Sequence, residues 1–538
     1  MVRPERPHRT KAHSLRTVRT VRTVPFDIDG MEAKPDWRDH FVWPVAPLDL
    51  EAMHQRVLTA YFGLVRETLG DDQRTAILAM WPIVGFAMSV FEIAAYADTE
   101  GATGVRVDSN DAEFRFIRGE TSQFPPPRGA DPLKKIAAPR LPFRRNAQVT
   151  SWWTPWAQLI PTMIRPEAVA VGENPLLIWQ ARRSKIRIAF RHGGIFLKEA
   201  RNIGTEPSVD SAPVATKIVA ALMTCLKVSG PIKKRVEPLL LGESQRNVAL
   251  ASRDLNSLQK IRDLPMEIWS GTAGDYATRA IGLEVIRRGG SVTRFDHGGT
   301  TGMIDYPEVV VGLELLATTI FVLPSEALAA NVRASKASAL IPNAQPPEIV
   351  WLLDPFPAPS IGPIKTKARR KVVYCPTLLL GFRRHSFCTL PDPVSMDWTL
   401  KITEELTAMP VDLLCKPHPE GTLQGREHPV SRIAKTSYRR FEDEMNDADV
   451  FVFDRCHSTA FWDALSTDRP VVYLEATPPA LHPNIREAME RRCRILRATF
   501  DDQNCPQIDG DALREAVIGG DPRVDPTEMQ KILLGKAA

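Results

Sequence analysis

The sequence is poor in the features that sort a 538-residue chain quickly. Its seven cysteines (Cys225, Cys375, Cys388, Cys415, Cys456, Cys493 and Cys505) are odd in number, widely spaced and never in a C-x-x-C pair. That pattern argues against a disulfide framework and a zinc knuckle, and predicts a reduced, cytoplasmic protein with thiols in its core. No apolar h-region follows the basic N-terminus, so no secretory signal is read. An uncharged, apolar stretch, Thr75 to Phe91, is 17 residues long and includes Pro82 and Gly85. It sits at the lower limit for a membrane span and reads as buried core, with a membrane-dipping element as the alternative. There is no G-x-x-x-x-G-K-[ST], G-x-G-x-x-G, H-E-x-x-H or G-x-S-x-G, so the P-loop, the dinucleotide fingerprint and two hydrolase signatures are missing.

Basic charge is also missing from the body of the chain. The net charge is +5, but the first 24 residues hold seven Lys or Arg against the single acid Glu5. Without that segment the remainder sums to −1, which argues against a nucleic-acid-binding body. Residues 1–24 read as a basic disordered tail. Their functional reading is a peripheral contact with the anionic inner face of a membrane. Apolar content of 43% and charged content of 25% are those of a soluble globular chain, and the length allows two to four domains.

What is present is an alternation of short apolar runs and amphipathic helices. Residues 45–100 read as mainly helical, and 101–150 as a Pro- and Arg-rich loop region. Short strands are expected at Pro175–Gln180, Ile186–Phe190, Met266–Trp269, Val292–Phe295 and Thr318–Leu323, with helices at Ala212–Val228 and Asp275–Arg288. A second Pro-rich stretch marks a linker at 346–366. Beyond it strands are expected at Lys371–Cys375, Asp412–Cys415, Asp449–Phe453 and Val471–Leu474, alternating with helices. This predicts an α/β chain with two Rossmann-like domains facing across a cleft: a helical start and first domain over 25–345, and a second over 367–538. Ligands of such sheets bind beyond the carboxyl ends of the strands.

The polar turns fall at those ends. Asp412–Cys415 delivers Lys416-Pro417-His418-Pro419-Glu420, a stiff turn whose Lys and His suit a phosphate, or else an ordinary solvated loop. Asp449–Phe453 leads through Asp454-Arg455-Cys456-His457 to Ser458 and Thr459 at a helix start, which caps the helix and suits an anion equally. Lys371–Cys375 runs into Pro376-Thr377 at the same edge. Val292–Phe295 ends in Asp296-His297-Gly298-Gly299-Thr300-Thr301-Gly302. There His297 suits a general base or a group that positions a phosphate or sugar, and a structural His in a tight turn is the plain alternative. Arg191-His192-Gly193-Gly194 is a weaker copy of that turn. Asp27-Ile28-Asp29 reads as solvated, and Trp152, Trp153 and Trp156 as packing or an interface.

Taken in order, Tyr374-x-Pro-Thr377, Lys416-x-His-Pro419 and the Asp454 to Leu465 helix start resemble the donor domain of bacterial GT-B glycosyltransferases with a His-Pro motif. These include sialyl- and Kdo-transferases that use CMP-sugars, and the CDP-glycerol glycerophosphotransferases. Phe295 to Gly299 resembles the His-Gly element of the latter group. The resemblance covers roughly residues 265–480. It implies transfer from a nucleotide-sugar, foremost a CMP-sugar, to a glycan or lipid-linked acceptor, with no metal and no nucleic acid. Lys416, His418, Ser458, Thr459 and Thr377 would bind donor phosphate, and His297, with Asp296 beside it, would be catalytic. No Asp-Gly element supplies the acidic base of the sialyl- and Kdo-transferases; Gly274-Asp275 is the nearest substitute. The rivals are a CDP-polyol phosphotransferase, a UDP-sugar 2-epimerase calling on Asp296 and Asp275, and a non-catalytic scaffold of the same fold.

Overall fold

The computed structural model describes residues 22–39, 41–109, 111–127, 167–271, 275–297, 301–341, 346–359, 361–362, 369–379, 381, 390–418, 423, 426–519 and 523–536. Residues 1–21, Trp152, Trp153, Trp156, Gly274, Gly298 to Thr300, Cys388 and Pro419-Glu420 lie outside the described residues.

A short parallel pair, β1 (Arg22–Pro25) and β2 (Val105–Asp108), opens the chain. Two six-stranded sheets follow. In the first, β3 (Ala168–Ala170), β4 (Ile188–Phe190), β5 (Glu267–Ser270), β6 (Ser291–Phe295), β7 (Ile320–Leu323) and β8 (Glu348–Trp351) pair in the order β4-β3-β5-β6-β7-β8. In the second, β9 (Lys371–Cys375), β10 (Asp412–Cys415), β11 (Lys435–Thr436), β12 (Val450–Phe453), β13 (Val471–Glu475) and β14 (Arg494–Arg497) pair in the order β11-β10-β9-β12-β13-β14. Every pairing in both sheets is parallel. In the second sheet the strand Val450-Phe451-Val452-Phe453 is an unbroken apolar run, buried throughout, as a sheet covered on both faces requires.

The helical region stands against the first sheet. Helices Pro47–Glu67, Gly70–Thr103, Ser211–Met223 and Gly230–Gln259 pack on one another and reach the sheet through helix Tyr276–Arg287. Helix Gly70–Thr103 is long and apolar enough to cross a membrane, yet 78% of its most apolar window is buried inside the protein. It ends at Gly104, whose φ of +69° closes the helix in the left-handed region.

The sheets touch through their carboxyl edges. The loop after β6 forms an isolated antiparallel bridge, Ile304 to Leu481, with the loop after β13. Both chain ends also cross between domains. Arg38 donates to Glu404 (2.7 and 3.0 Å) and to Asp397 (3.1 Å), and Trp43 N donates to Gln503 O at 2.9 Å. The last helix, Thr527–Leu534, packs on helix Glu326–Ala334 of the first domain. Two Rossmann-like sheets meeting at these edges are the GT-B arrangement expected.

Five expectations need correction. The 101–150 loop region holds β2 and a helix, Ala112–Arg118, capped by Asp111. Pro175–Gln180 is not a strand but the start of helix Pro175–Ser184, capped by Asn174 with Pro175 in its first turn. Asn-Pro is a helix-start signal, and an apolar run this short has no usable period. The 346–366 linker contains β8, the edge strand of the first sheet, where the preceding Pro346-Pro347 is tolerated. The 1–24 tail ends inside β1. Asp27 and Asp29 are not merely solvated: Asp27 caps helix Ile28–Ala33, and Asp29 pairs with Arg426 at 2.6 Å.

One packing contact is open to direct test. Gly312 lies in a π-helical turn, Val311–Leu315, and its carbonyl accepts from Trp81 Nε1 (3.0 Å) and Arg279 Nη2 (2.8 Å). A Cβ added there would stand 2.9 Å from Trp81 and 3.0 Å from Met80. Gly312→Ala is expected to cost about 1–3 kcal/mol through overpacking, read by urea denaturation. An unchanged midpoint would refute it.

Candidate functional site

In the second sheet the chain runs β9, β10, β11 to one side and then β12, β13, β14 to the other. The order therefore reverses between β9 and β12, and a crevice opens where the flanking loops diverge. The register aligns the ends: Cys415 stands opposite Tyr374, and Phe453 opposite Cys375. Thr377, Lys416, His418, Ser458 and Thr459 therefore all leave the sheet at one edge, the first three by way of β9 and β10 and the last two by way of β12.

The reversal is closed by one buried carboxylate. Asp454 accepts from Tyr374 Oη at 2.7 Å and from Thr377 Oγ1 at 2.8 Å. Burial pushes its carboxyl up to about 6, against the pull of those hydrogen bonds. Thr377 has one hydroxyl proton and gives it to Asp454, so toward a ligand it is an acceptor and a positioning group rather than a phosphate donor.

The other expected phosphate ligands differ in exposure. Lys416 is buried, its N–H donates to Tyr374 O at 2.7 Å, and its Nζ donates to the Arg439 carbonyl. It is a fixed internal cation rather than a solvated side chain. His418 is exposed. Ser458 occupies the N-cap of helix Thr459–Leu465 but makes no side-chain cap hydrogen bond, and Thr459 is exposed. The capping expected of Ser458 is therefore not made, and its hydroxyl is not used there.

Three residues of this site were given no role from the sequence. Asp454 was legible as a polar residue directly after a buried strand. His457, one position before Ser458, is pulled down to about 3 by burial and by Arg455, and is therefore a neutral imidazole near pH 7. Asp463, inside the helix, is pushed up to about 7 by burial and by Glu442. Neither carried a sequence signal distinct from helix packing.

In the first sheet the order reverses between β3 and β5. Asn174, buried, closes this reversal: its Nδ2 donates to Gly271 O (2.8 Å), Phe295 O (3.0 Å) and Asp296 O (3.0 Å). His297 follows at once and is exposed. Asp296, expected beside it as a catalytic acid, is buried; alternation along the strand puts it on the inner face with Arg294. There it shares a field with Glu314, Arg294 and Arg279. Burial moves Glu314 up to about 7, Arg294 down to about 10 and Arg279 down to about 9. Asp275 caps helix Tyr276–Arg287 by accepting from Thr278 N at 2.8 Å. His192 does the same for helix Gly193–Ile203 through Nδ1, at 3.1 Å from Gly194 N.

The Asp454 bridge gives a pH-dependent expectation. At pH 5, Asp454→Asn should cost about 1–3 kcal/mol, because one of its two donors loses its acceptor. A carboxyl raised from 3.8 to about 6 holds its proton more tightly folded than unfolded. Its stabilising contribution is present below the unfolded value and is lost as pH rises through 6. The stability gap between wild type and variant should therefore narrow from pH 5 to pH 7.5 in urea melts. A gap that is constant or widens contradicts this assignment.

No protein-family model matches the chain, and no curated protein matches it. Among solved structures, one similar chain is described as the glycotransferase of kitacinnamycin, at 15% identity. The match covers 69% of this chain and 96% of that one, with a TM-score of 0.34. At that score the likeness carries no argument about activity, and a functional reading has to rest on the residues.

Proposed function

We propose that this chain is a glycosyltransferase that draws its sugar from a nucleotide-activated donor held at the carboxyl edge of the second sheet. The observation that carries the reading is the convergence of Lys416, His418, Ser458 and Thr459 on the β9/β12 reversal that Asp454 closes. A parallel sheet offers a ligand its crevice at that place. A buried Lys416 acts through a low dielectric, where a cation stabilises a leaving phosphate more than it would in water. His418 and the start of helix Thr459–Leu465 add donors from the solvent side.

In this reading the acceptor hydroxyl attacks the anomeric carbon. The new C–O bond forms as the bond to the donor phosphate breaks, and the hydroxyl proton passes to His297. The nucleotide phosphate departs onto Lys416 and His418, and no metal is called on. The donor expected first is a CMP-sugar, and the acceptor a cell-surface glycan or its lipid-linked precursor. Residues 1–24 would hold the enzyme at the anionic cytoplasmic face of a membrane. Attack at phosphorus in a CDP-polyol would use the same groups. A 2-epimerase is less well served, because Asp296 faces the interior and Asp275 caps a helix.

The test is a melting-temperature screen against CMP, CDP, UDP and GDP at millimolar concentration, followed by donor turnover. A nucleotide present at 100 times its Kd stabilises by about 2.7 kcal/mol. CMP is expected to raise the melting temperature most, and His418→Ala to lower donor turnover at least about tenfold, the scale of one lost charge-assisted contact. No response to any of the four, or full turnover in His418→Ala, would refute the proposal.

A further inference from the structure

A buried asparagine holds the chain on each side of His297. Before it, Asn174 Nδ2 donates to the carbonyl of Asp296, the residue preceding His297. After it, Asn331 Nδ2 donates to Gly302 O at 2.7 Å. Asn331 is buried on helix Glu326–Ala334, and so its amide has a fixed origin. Gly302 has φ of +83°, and a Cβ there would lie 2.5 Å from Leu328 O on the same helix. Only glycine lets the chain approach that helix closely enough for the Asn331 bond.

Directly beyond Gly302 the chain is bonded into the other domain. Asp305 N donates to Ala480 O at 2.8 Å, and His482 N donates to Met303 O at 3.0 Å, flanking the Ile304 to Leu481 bridge. Residues 476–482 form the loop leaving β13, the strand paired with β12, whose own end carries Asp454 and Ser458. His482 is itself the first capping position of helix Pro483–Arg492, so its backbone is tied to a rigid element. A bridge of this kind fixes relative position to a single residue, because a one-residue slip turns the bonded N–H and C=O groups of one segment away from those of the other. Gly302 and the loop leaving β13 are thus joined through Met303, Asp305, Ala480 and His482.

We propose that Asn331 is a positioning residue: through Gly302 it holds Met303 to Asp305 in register with Ala480 to His482, so that loading of the nucleotide edge is transmitted to His297. The transmission rests on the donor-site reading above, while the anchoring does not. The probe is amide hydrogen exchange on the full chain, in wild type, Asn331→Ala and the isosteric Asn331→Asp, without nucleotide and with CMP. In the free protein, both variants should exchange the amides of Asp305 and His482, the two donors of the bridge, about tenfold faster than wild type, as local opening becomes easier. With CMP, wild type should slow at those amides, and the variants should not, although CMP still raises their melting temperature. In donor turnover, kcat should fall about tenfold with the donor KM unchanged, the signature of an interaction that matters only in the transition state.

Exchange at Asp305 and His482 that is equal in all three proteins overturns the anchoring. A nucleotide that raises the melting temperature while leaving those amides unchanged overturns the transmission. If no nucleotide raises the melting temperature, it is the donor-site reading and the transmission built on it that fall, and the free-protein comparison still judges the anchoring. A rise in KM in proportion to the fall in kcat would reduce Asn331 to a structural residue. Asn331→Asp preserves shape and so supplies the comparison if Asn331→Ala does not fold.

Discussion

The second domain depends on a carboxylate that water cannot reach. Asp454 sits where the strand order turns back on itself, and the hydroxyls of Tyr374 and Thr377 close on it from the neighbouring strand. Removing a carboxylate from water is costly, and two short hydrogen bonds offset only part of that cost, which is why its proton affinity rises. In return the loops after β9 and β12 leave the sheet at a fixed separation. Every phosphate-binding role suggested for this edge presupposes that separation.

The first domain solves the same problem with a neutral group. Asn174 occupies its reversal and ties together carbonyls after β5 and β6. An amide carries no charge to desolvate, so this junction is indifferent to pH, whereas the Asp454 junction is not. The charged groups of the first domain lie deeper: Arg279, Arg294, Glu314 and Asp296 share a buried field behind the His297 turn. The π-helical turn Val311–Leu315 supplies the carbonyls of Gly312 and Glu314 to Arg279 and Arg294. A π-turn is a rare local choice, and here its carbonyls accept from two buried guanidiniums.

Much of the frame was legible in the sequence. Lys371–Cys375 and Asp412–Cys415 match their strands residue for residue, because a continuous apolar run bounded by polar turns leaves few alternatives. The same logic misled at Pro175–Gln180, where Asn174 and Pro175 signalled a helix more strongly than the apolar run signalled a strand. Helix Gly230–Gln259 received no assignment from sequence; it opens on Gly-Pro, contains Pro238, and buries Glu243 and Asp254 among its apolar residues. At the site, which residues share an edge was legible from strand ends alone. Which of them are buried was not: Lys416, Asp296 and Asp454 look like surface residues in the sequence. Their burial is set with partners 23 to 122 positions away.

The crossing chain ends bear on how this molecule is made. Ser325 Oγ, which caps a helix of the first domain, donates to the carbonyl of Ile532, and the backbone at Gly535 lies against Pro324 O. The first domain is therefore completed by residues that follow the second domain in the chain. Arg38 and Trp43, which precede the first sheet, find their partners in the second domain. The two lobes are consecutive in the chain but not in assembly, so the first lobe stops short of its final form until the second has been made. For the same reason, a protease cut between β8 and β9 would leave the two halves strapped together at both ends rather than release two free domains.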